Sequence, residues 1–380
     1  MNPVRGHARD KVASPKDLGG ATSNGMNQKF LIKLTVISLS FTAFLAGYLI
    51  SQKDFRRNTS LSLSGNILDK FSDTDSNLQT ESSGPLRLLS PRVVMSPVIS
   101  KEKDSVLYYE KDTGKVFETT LKDLRERSVS DTALPNLVKT IWSPSRKEVV
   151  SIFYNPKGNH YKYYSFKTKA SADLGTGIKS LVFSPDGSQI AYFGSKNGSR
   201  GIFISQPDGS SFKNIMPSRL ENAEIYWPSD GLLAFKIEVA GGSELYSLSK
   251  AGEIRKILDT KDGLRVKWSG DGSRLLFSYE TGQGTDLFYK DATSESEIPF
   301  NISTFASKCD WSIDNKTIVC GVPGASVSGD EIYEIGVNGT KKLLSSPTSR
   351  INVAELFLSG LDDYVVTLSG LDNKLYVLKK

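Results

Sequence analysis

Side chains able to carry out covalent chemistry are scarce in this 380-residue chain. There are two histidines, His7 and His160, and two cysteines, Cys309 and Cys320. Serine hydrolysis needs a nucleophile, a base and a group that orients the base. Only His160 lies beyond the N-terminal tail, and no Gly-x-Ser-x-Gly elbow accompanies it. It reads as a strand residue on a surface or in a groove. Two histidines and two cysteines do not make a zinc cluster of the usual spacing. No Gly-x-x-x-x-Gly-Lys-Ser/Thr phosphate loop is present. Asp73-Thr74-Asp75-Ser76-Asn77 opens like a calcium loop, but Leu78 stands where glycine is needed and Gly84 where the bidentate glutamate belongs. No catalytic, cofactor-binding or metal-ligating residue is therefore assigned, and the expectation is a protein that is not an enzyme and needs no cofactor.

The cysteines support a sharper inference. A hairpin centred on Asp314-Asn315 opposes Trp311 to Ile318 and Cys309 to Cys320. Directly opposed residues bring their Cβ atoms to about 4.5–5.5 Å, near disulfide reach. A bulge at the turn would break that register and leave two buried thiols instead. Both alternatives stand at this level.

The elements that position these residues recur. Residues 181–215 read as four short antiparallel strands. Within them Ser184-Pro185-Asp186-Gly187 and Asp208-Gly209 supply the turns. The same aromatic-then-turn anchor occurs at Trp142-Ser143-Pro144, Trp227-Pro228-Ser229-Asp230-Gly231, Trp268-Ser269-Gly270-Asp271-Gly272 and Trp311-Ser312-Ile313-Asp314. Two weaker copies, Met95-Ser96-Pro97 and Leu358-Ser359-Gly360, flank these five. With Ser96, Ser143, Ser184, Pro228, Ser269, Ser312 and Ser359 as markers, the spacings are 47, 41, 44, 41, 43 and 47. That is the period of a propeller blade. The expectation is an all-β, seven-bladed propeller of four-stranded antiparallel blades over residues 85–380. The last blade lacks a fourth strand, so residues 85–90 (PLRLLS) are expected to supply it and close the ring. Trp142, Trp227, Trp268 and Trp311 are expected to pack between blades. Asp186, Asp230, Asp271 and Asp314 are expected to form turns, not to bind ligands.

Residues 1–29 are a polar, basic tail. Residues 30–50 (FLIKLTVISLSFTAFLAGYLI) hold one charge, Lys33, and read as an uncleaved transmembrane helix. Residues 51–84 form a polar linker rich in Ser, Thr, Asn and Asp. Lysines on the N-terminal flank place the N-terminus in the cytoplasm and the propeller outside it. The formal charge of +6 is thinly spread: residues 1–85 hold ten Lys/Arg against seven Asp/Glu, and the rest is nearly neutral. Nothing in that balance points to nucleic acid.

The anchor Phe183-Ser184-Pro185-Asp186-Gly187, with Ile190-Ala191-Tyr192 and the later Asp208-Gly209-Ser210, resembles the TolB-like propeller repeat, a relative of WD-type repeats. That resemblance implies a protein-interaction platform in the cell envelope, held to the membrane by the N-terminal helix. Similar blades accompany hydrolases of the prolyl-oligopeptidase type. The alternative expectation is thus a glycan-binding or hydrolytic propeller with its site at the channel mouth.

Overall fold

The computed structural model describes residues 86–324, 329–347 and 350–380. The tail, membrane segment and linker expected over 1–29, 30–50 and 51–84 lie outside the described residues. No helix among the described residues is long and apolar enough to cross a membrane.

Turn clusters divide the chain into short extended runs, and these pair into seven four-stranded sheets, every strand pair antiparallel. The result is a seven-bladed β-propeller, as the repeat period predicts. The first strand of each blade is innermost: Val94–Ile99, Leu137–Trp142, Ile178–Phe183, Glu224–Ser229, Arg265–Trp268, Cys309–Trp311 and Val353–Leu358, for blades 1 to 7 in order. Second strands are buried on both faces because a neighbouring blade covers each side. In Ile190–Lys196 of blade 3, Ile190, Ala191 and Phe193 have no exposed surface.

The core is a set of inter-blade layers rather than one centre. Ala191, Phe193 and Ile202 of blade 3 pack against Trp227, Leu233 and Phe235 of blade 4. Leu276, Leu287 and Tyr289 of blade 5 meet Trp311, Ile318 and Cys320 of blade 6. A single blade could not bury these faces, and each large side chain removed from water contributes roughly 1.5–3 kcal/mol. All four tryptophans stand in such layers. Trp142 rests against Tyr109 of blade 1, and its Nε1 donates to the Ser96 carbonyl at 3.0 Å.

The ring closes as the leftover N-terminal strand predicts. Arg87–Ser90 pairs with Leu375–Lys379, placing Arg87 opposite Val377 and Leu88 opposite Tyr376. Leu89 is buried in the layer between blades 7 and 1, beside Val366, Leu375 and Val377.

One marker is displaced. The blade 1 turn begins at Ser100, whose N–H donates to the Ser105 carbonyl as the Ser143 N–H does to Glu148. Ser96-Pro97 lies inside the inner strand, where the register slips between Met95 and Val98 and Ser96 takes φ 51°. The reason is a β-bulge, whose extra residue mimics the Ser-Pro of a turn. Ser100 precedes Ser143 by 43 residues, in keeping with the other blades.

Candidate functional site

Aligned on their turns, the seven inner strands place equivalent residues around a central channel. Four positions before the first turn residue stand Ser96, Lys139, Ser180, Glu224, Arg265, Lys308 and Glu355, with Lys308 in the short 3-10 helix Ala306–Lys308 that leads into the blade 6 strand. Just before the anchor residue stand Val98, Ile141, Val182, Tyr226, Lys267, Asp310 and Phe357. Alternate strand residues share a face, so the two sets form two stacked rings. The outer ring is charged in five blades. The inner ring is half-buried at every position and apolar except for Lys267 and Asp310, with the Tyr226 hydroxyl as its other polar group. Burial and the neighbouring Glu224 push that hydroxyl far above its usual range.

Lys267 bridges three blades. Its Nζ sits 3.0 Å from Asp310 and donates to the Cys309 carbonyl at 2.6 Å and the Leu356 carbonyl at 3.0 Å. Asp310 also accepts from the Leu358 N–H at 2.9 Å. The pair is thus spent on holding blades 5, 6 and 7 together.

The first mouth, where the inner strands begin, carries the freer charge. A cavity of about 420 Å³ there is lined by Lys139, Lys179, Glu224, Lys236 and Glu238 with Asn159 and Asn222. Glu224 is neutralised by Lys236 at 2.8 Å, and Lys308 by Asp330 at 2.8 Å. Lys139 and Lys179 form no ion pair among the described residues. A second cavity of about 570 Å³ continues past Lys139, Thr140 and Glu355 to Arg146. In both blades that carry these lysines the strand register slips beside them, at Leu137/Lys139 and Ile178/Ser180. Such bulges re-aim side chains. The mouth can therefore recognise a surface of mixed charge, with a surplus of ammonium groups on the blade 2 and 3 side.

The residues singled out in the sequence fall elsewhere. His160 is on the third strand of blade 2, its Nε2 2.9 Å from Asp173 Oδ1, and no serine among the described residues joins them. The turn aspartates stay at the turns. Asp186 accepts from the Ser184 hydroxyl at 2.6 Å and the Ser188 N–H at 3.0 Å, which hold its carboxyl down at about 2. Asp271 and Asp314 repeat the arrangement with Ser269 and Ser312, both at 2.7 Å. Asp230 occupies a two-residue turn between paired Ser229 and Leu232. Cys309 lies opposite Cys320 in register, and the structure joins their sulfurs. Among the described residues no group of three or more His, Cys, Asp or Glu could hold a metal. The channel residues went unread, although aligning the repeats would have shown a polar residue four places before every turn.

The fold has solved counterparts. The β-propeller domain of the trilobed protease of Pyrococcus furiosus, described as having an open velcro topology, is 13% identical, covers 76% of this chain and 95% of its own, and has a TM-score of 0.54. An acylaminoacyl peptidase of Pyrococcus horikoshii is 10% identical over 77% of this chain and 53% of its own, with a TM-score of 0.53. TolB of Acinetobacter baumannii is 14% identical over 65% of this chain and 61% of its own, with a TM-score of 0.44. The matched region spans about half the length of the acylaminoacyl peptidase. No family model matches the chain, and no curated protein does. Identities this low establish the propeller fold alone.

The comparison corrects one expectation. A propeller of this shape belongs to a protease and to a peptidase, so the scarcity of histidine and cysteine does not make this chain a non-enzyme. The same disc can carry a catalytic role or a binding role, and the fold does not choose between them.

Proposed function

We propose that this chain is a membrane-tethered binding platform whose propeller holds a protein partner of the cell envelope at the first channel mouth. Residues 1–29 serve as cytoplasmic tail, 30–50 as the single membrane span, 51–84 as tether and 85–380 as extracytoplasmic propeller. The observation that carries the reading is the charged ring, to which blades 2, 4, 5, 6 and 7 each contribute one side chain. Binding groups spread over many blades suit a partner's surface better than a small molecule, and complementary charge speeds and selects the encounter. Lys139 and Lys179, with the Arg265 guanidinium that lies over Phe305, are the cations left to engage acidic residues of that partner.

The test is capture of complexes from membranes with the full chain and with a K139E/K179E double variant. The variant is expected to lose the captured partner while melting at the same temperature, because both side chains are exposed. Equal capture by both proteins counts against the mouth as the site. Protease treatment of intact cells tests the topology: digestion only after lysis reverses the placement.

A second reading has specific support in the enzyme neighbours: a hydrolytic propeller with its reacting groups at the same mouth. Lys139 and Glu355 line one cavity there. Incubation of the full chain with a peptide library and an oligosaccharide library, scored for cleavage by mass spectrometry, separates the two roles. Cleavage abolished by K139A with Glu355 intact favours the catalytic one.

A further inference from the structure

The fourth residue of each anchor turn has positive φ wherever the full-length turn forms. Glycine fills it in blades 3 and 5, as Gly187 (φ 76°) and Gly272 (φ 72°), and Asn315 (φ 56°) and Asp362 (φ 58°) fill it in blades 6 and 7. Blade 2 places Arg146 there at φ 60°, and blade 1 places Lys103 at φ 68°. A bulky side chain in the left-handed region carries strain, which persists only where surrounding structure holds it.

The Arg146 side chain runs from this turn toward the second mouth of the channel. Its Nε donates to the Ile99 carbonyl at 2.9 Å and its Nη1 to the Ser143 carbonyl at 3.1 Å. Nη2 has no hydrogen-bond partner among the described residues, and no carboxylate there pairs with the guanidinium. Burial pushes its pKa below the ordinary value with no charged neighbour contributing. Arg146 is half-buried, and its free edge faces open space without a carboxylate beside it. The side chain borders cavities on two sides, one of about 570 Å³ and one of about 560 Å³ at the second mouth. Lys101 and Lys103 line the second-mouth cavity with it. The carboxylates in that cavity are engaged: Asp310 by Lys267 and the Leu358 N–H, Asp362 by the Ile313 N–H at 2.9 Å.

We infer that the second mouth is a carboxylate-binding site, organised by the Arg146 guanidinium and flanked by Lys101 and Lys103. The unsatisfied Nη2 edge offers the planar fork that matches a carboxylate. Asp310 and Asp362 set the limit on ligand charge: their proximity favours a singly charged carboxylate over a phosphate. The cavity walls provide aliphatic surface at Ile99, Ile313 and Leu358 for the stem of an acidic side chain. The ligand class is thus a glutamate- or aspartate-bearing peptide. Lys101 and Lys103 set this site apart from the first mouth, although Arg146 and Lys139 also line one shared cavity.

Trp268 and Trp311 line the same cavity, so intrinsic fluorescence of the full chain reports its occupancy. The probes are a blocked tetrapeptide containing glutamate, the same peptide with glutamine, and inorganic phosphate. Saturable binding of the glutamate peptide, weaker binding of the other two, and loss of about tenfold or more in affinity in R146G are expected. Glycine suits the positive φ of this turn and offsets the hydrogen bonds to the Ile99 and Ser143 carbonyls that R146G gives up, so its melting temperature is expected to stay near the parent's. If R146G does not fold, R146K carries the test, because it keeps the charge and loses the fork. K157A, on an exposed hairpin of the same blade, is expected to bind normally. Unchanged affinity in R146G or R146K, tighter binding of phosphate than of the glutamate peptide, or no saturable binding by the parent protein overturns the assignment.

Discussion

At the scale of single residues, the anchor turn acts as a small proton-sensitive clasp. In blade 3 the Ser184 hydroxyl bridges inward, accepting from the Gln189 N–H at 3.0 Å and donating to Asp186 at 2.6 Å. In blade 5 burial opposes ionisation of Asp271, yet the Ser273 N–H and the Ser269 and Ser273 hydroxyls outweigh it and hold the carboxyl at about 2. A carboxyl with a folded pKa below its unfolded value adds stability above the unfolded pKa. That stability fades as the pH falls through the folded pKa. Both turns are therefore expected to loosen between about pH 4 and about pH 2. Chemical denaturation as a function of pH checks this. A D186N/D271N variant is expected to be less stable at neutral pH and to show a flatter acid limb. An unchanged limb would show that other groups govern acid unfolding. The same turn shows why Arg146 stands out: blades 3 and 5 meet the positive φ with glycine and blades 6 and 7 with the short Asn315 and Asp362, whereas blade 2 places a guanidinium there.

At the scale of elements, the instructive strand is Cys309–Trp311 of blade 6. It is short, only three residues, where most inner strands have six. Two devices compensate for the lost pairing. Lys267 and Asp310 tie it to the adjoining blades, and Cys309 faces Cys320 with the Cα atoms 4.0 Å apart. Mass spectrometry of the intact chain under non-reducing conditions is expected to find neither cysteine available to alkylation. Two alkylated thiols would remove the cross-link. With the link present, a C309A/C320A variant is expected to lose about 2–4 kcal/mol of stability, since closing even a short loop restrains the unfolded chain. The register behind this was readable because it follows from counting outward from one Asp-Asn turn. Blade 1 was misread by the same kind of counting. A Ser-Pro bulge and a Ser-Pro turn look alike until the partner strand shows which carbonyls are taken, and Ser96 spends its own on Trp142.

At the scale of the whole molecule, the design is a ring whose layers are each completed by the next blade. Its seam is the pairing of Arg87–Ser90 with the final strand, Leu375–Lys379. Leu89 anchors that seam at 4% exposure. An L89A substitution is expected to cost about 2–5 kcal/mol. Because the seam joins the two ends of the ring, unfolding is expected to begin there. Hydrogen exchange should then speed up first in Leu375–Lys379 and Tyr364–Ser369, with blade 4 unaffected. Uniform acceleration around the ring would mean that the seam is no weaker than any other joint. The channel is likewise a property of the closed ring, since its lining comes from every blade.

The amino-acid sequence alone determined the blades. Their number, the turns of blades 2 to 7, the closing strand and the inter-blade tryptophans follow from contacts between residues near in the chain or from a pattern repeated often enough to be counted, and the opposition of Cys309 to Cys320 is one of the two arrangements that pattern leaves open. Only the tertiary structure decided what the ring encloses. Lys139, Lys179, Arg146, Lys267, Asp310 and Glu355 lie far apart along the chain, and their relation arises when closure turns seven inner strands toward one axis. It also decided which charges are spent and which are free. Lys267 and Lys139 are the same residue type on equivalent strands, yet one is consumed by three blades and the other faces the open mouth. That difference is set by distances across the channel, which no local pattern encodes.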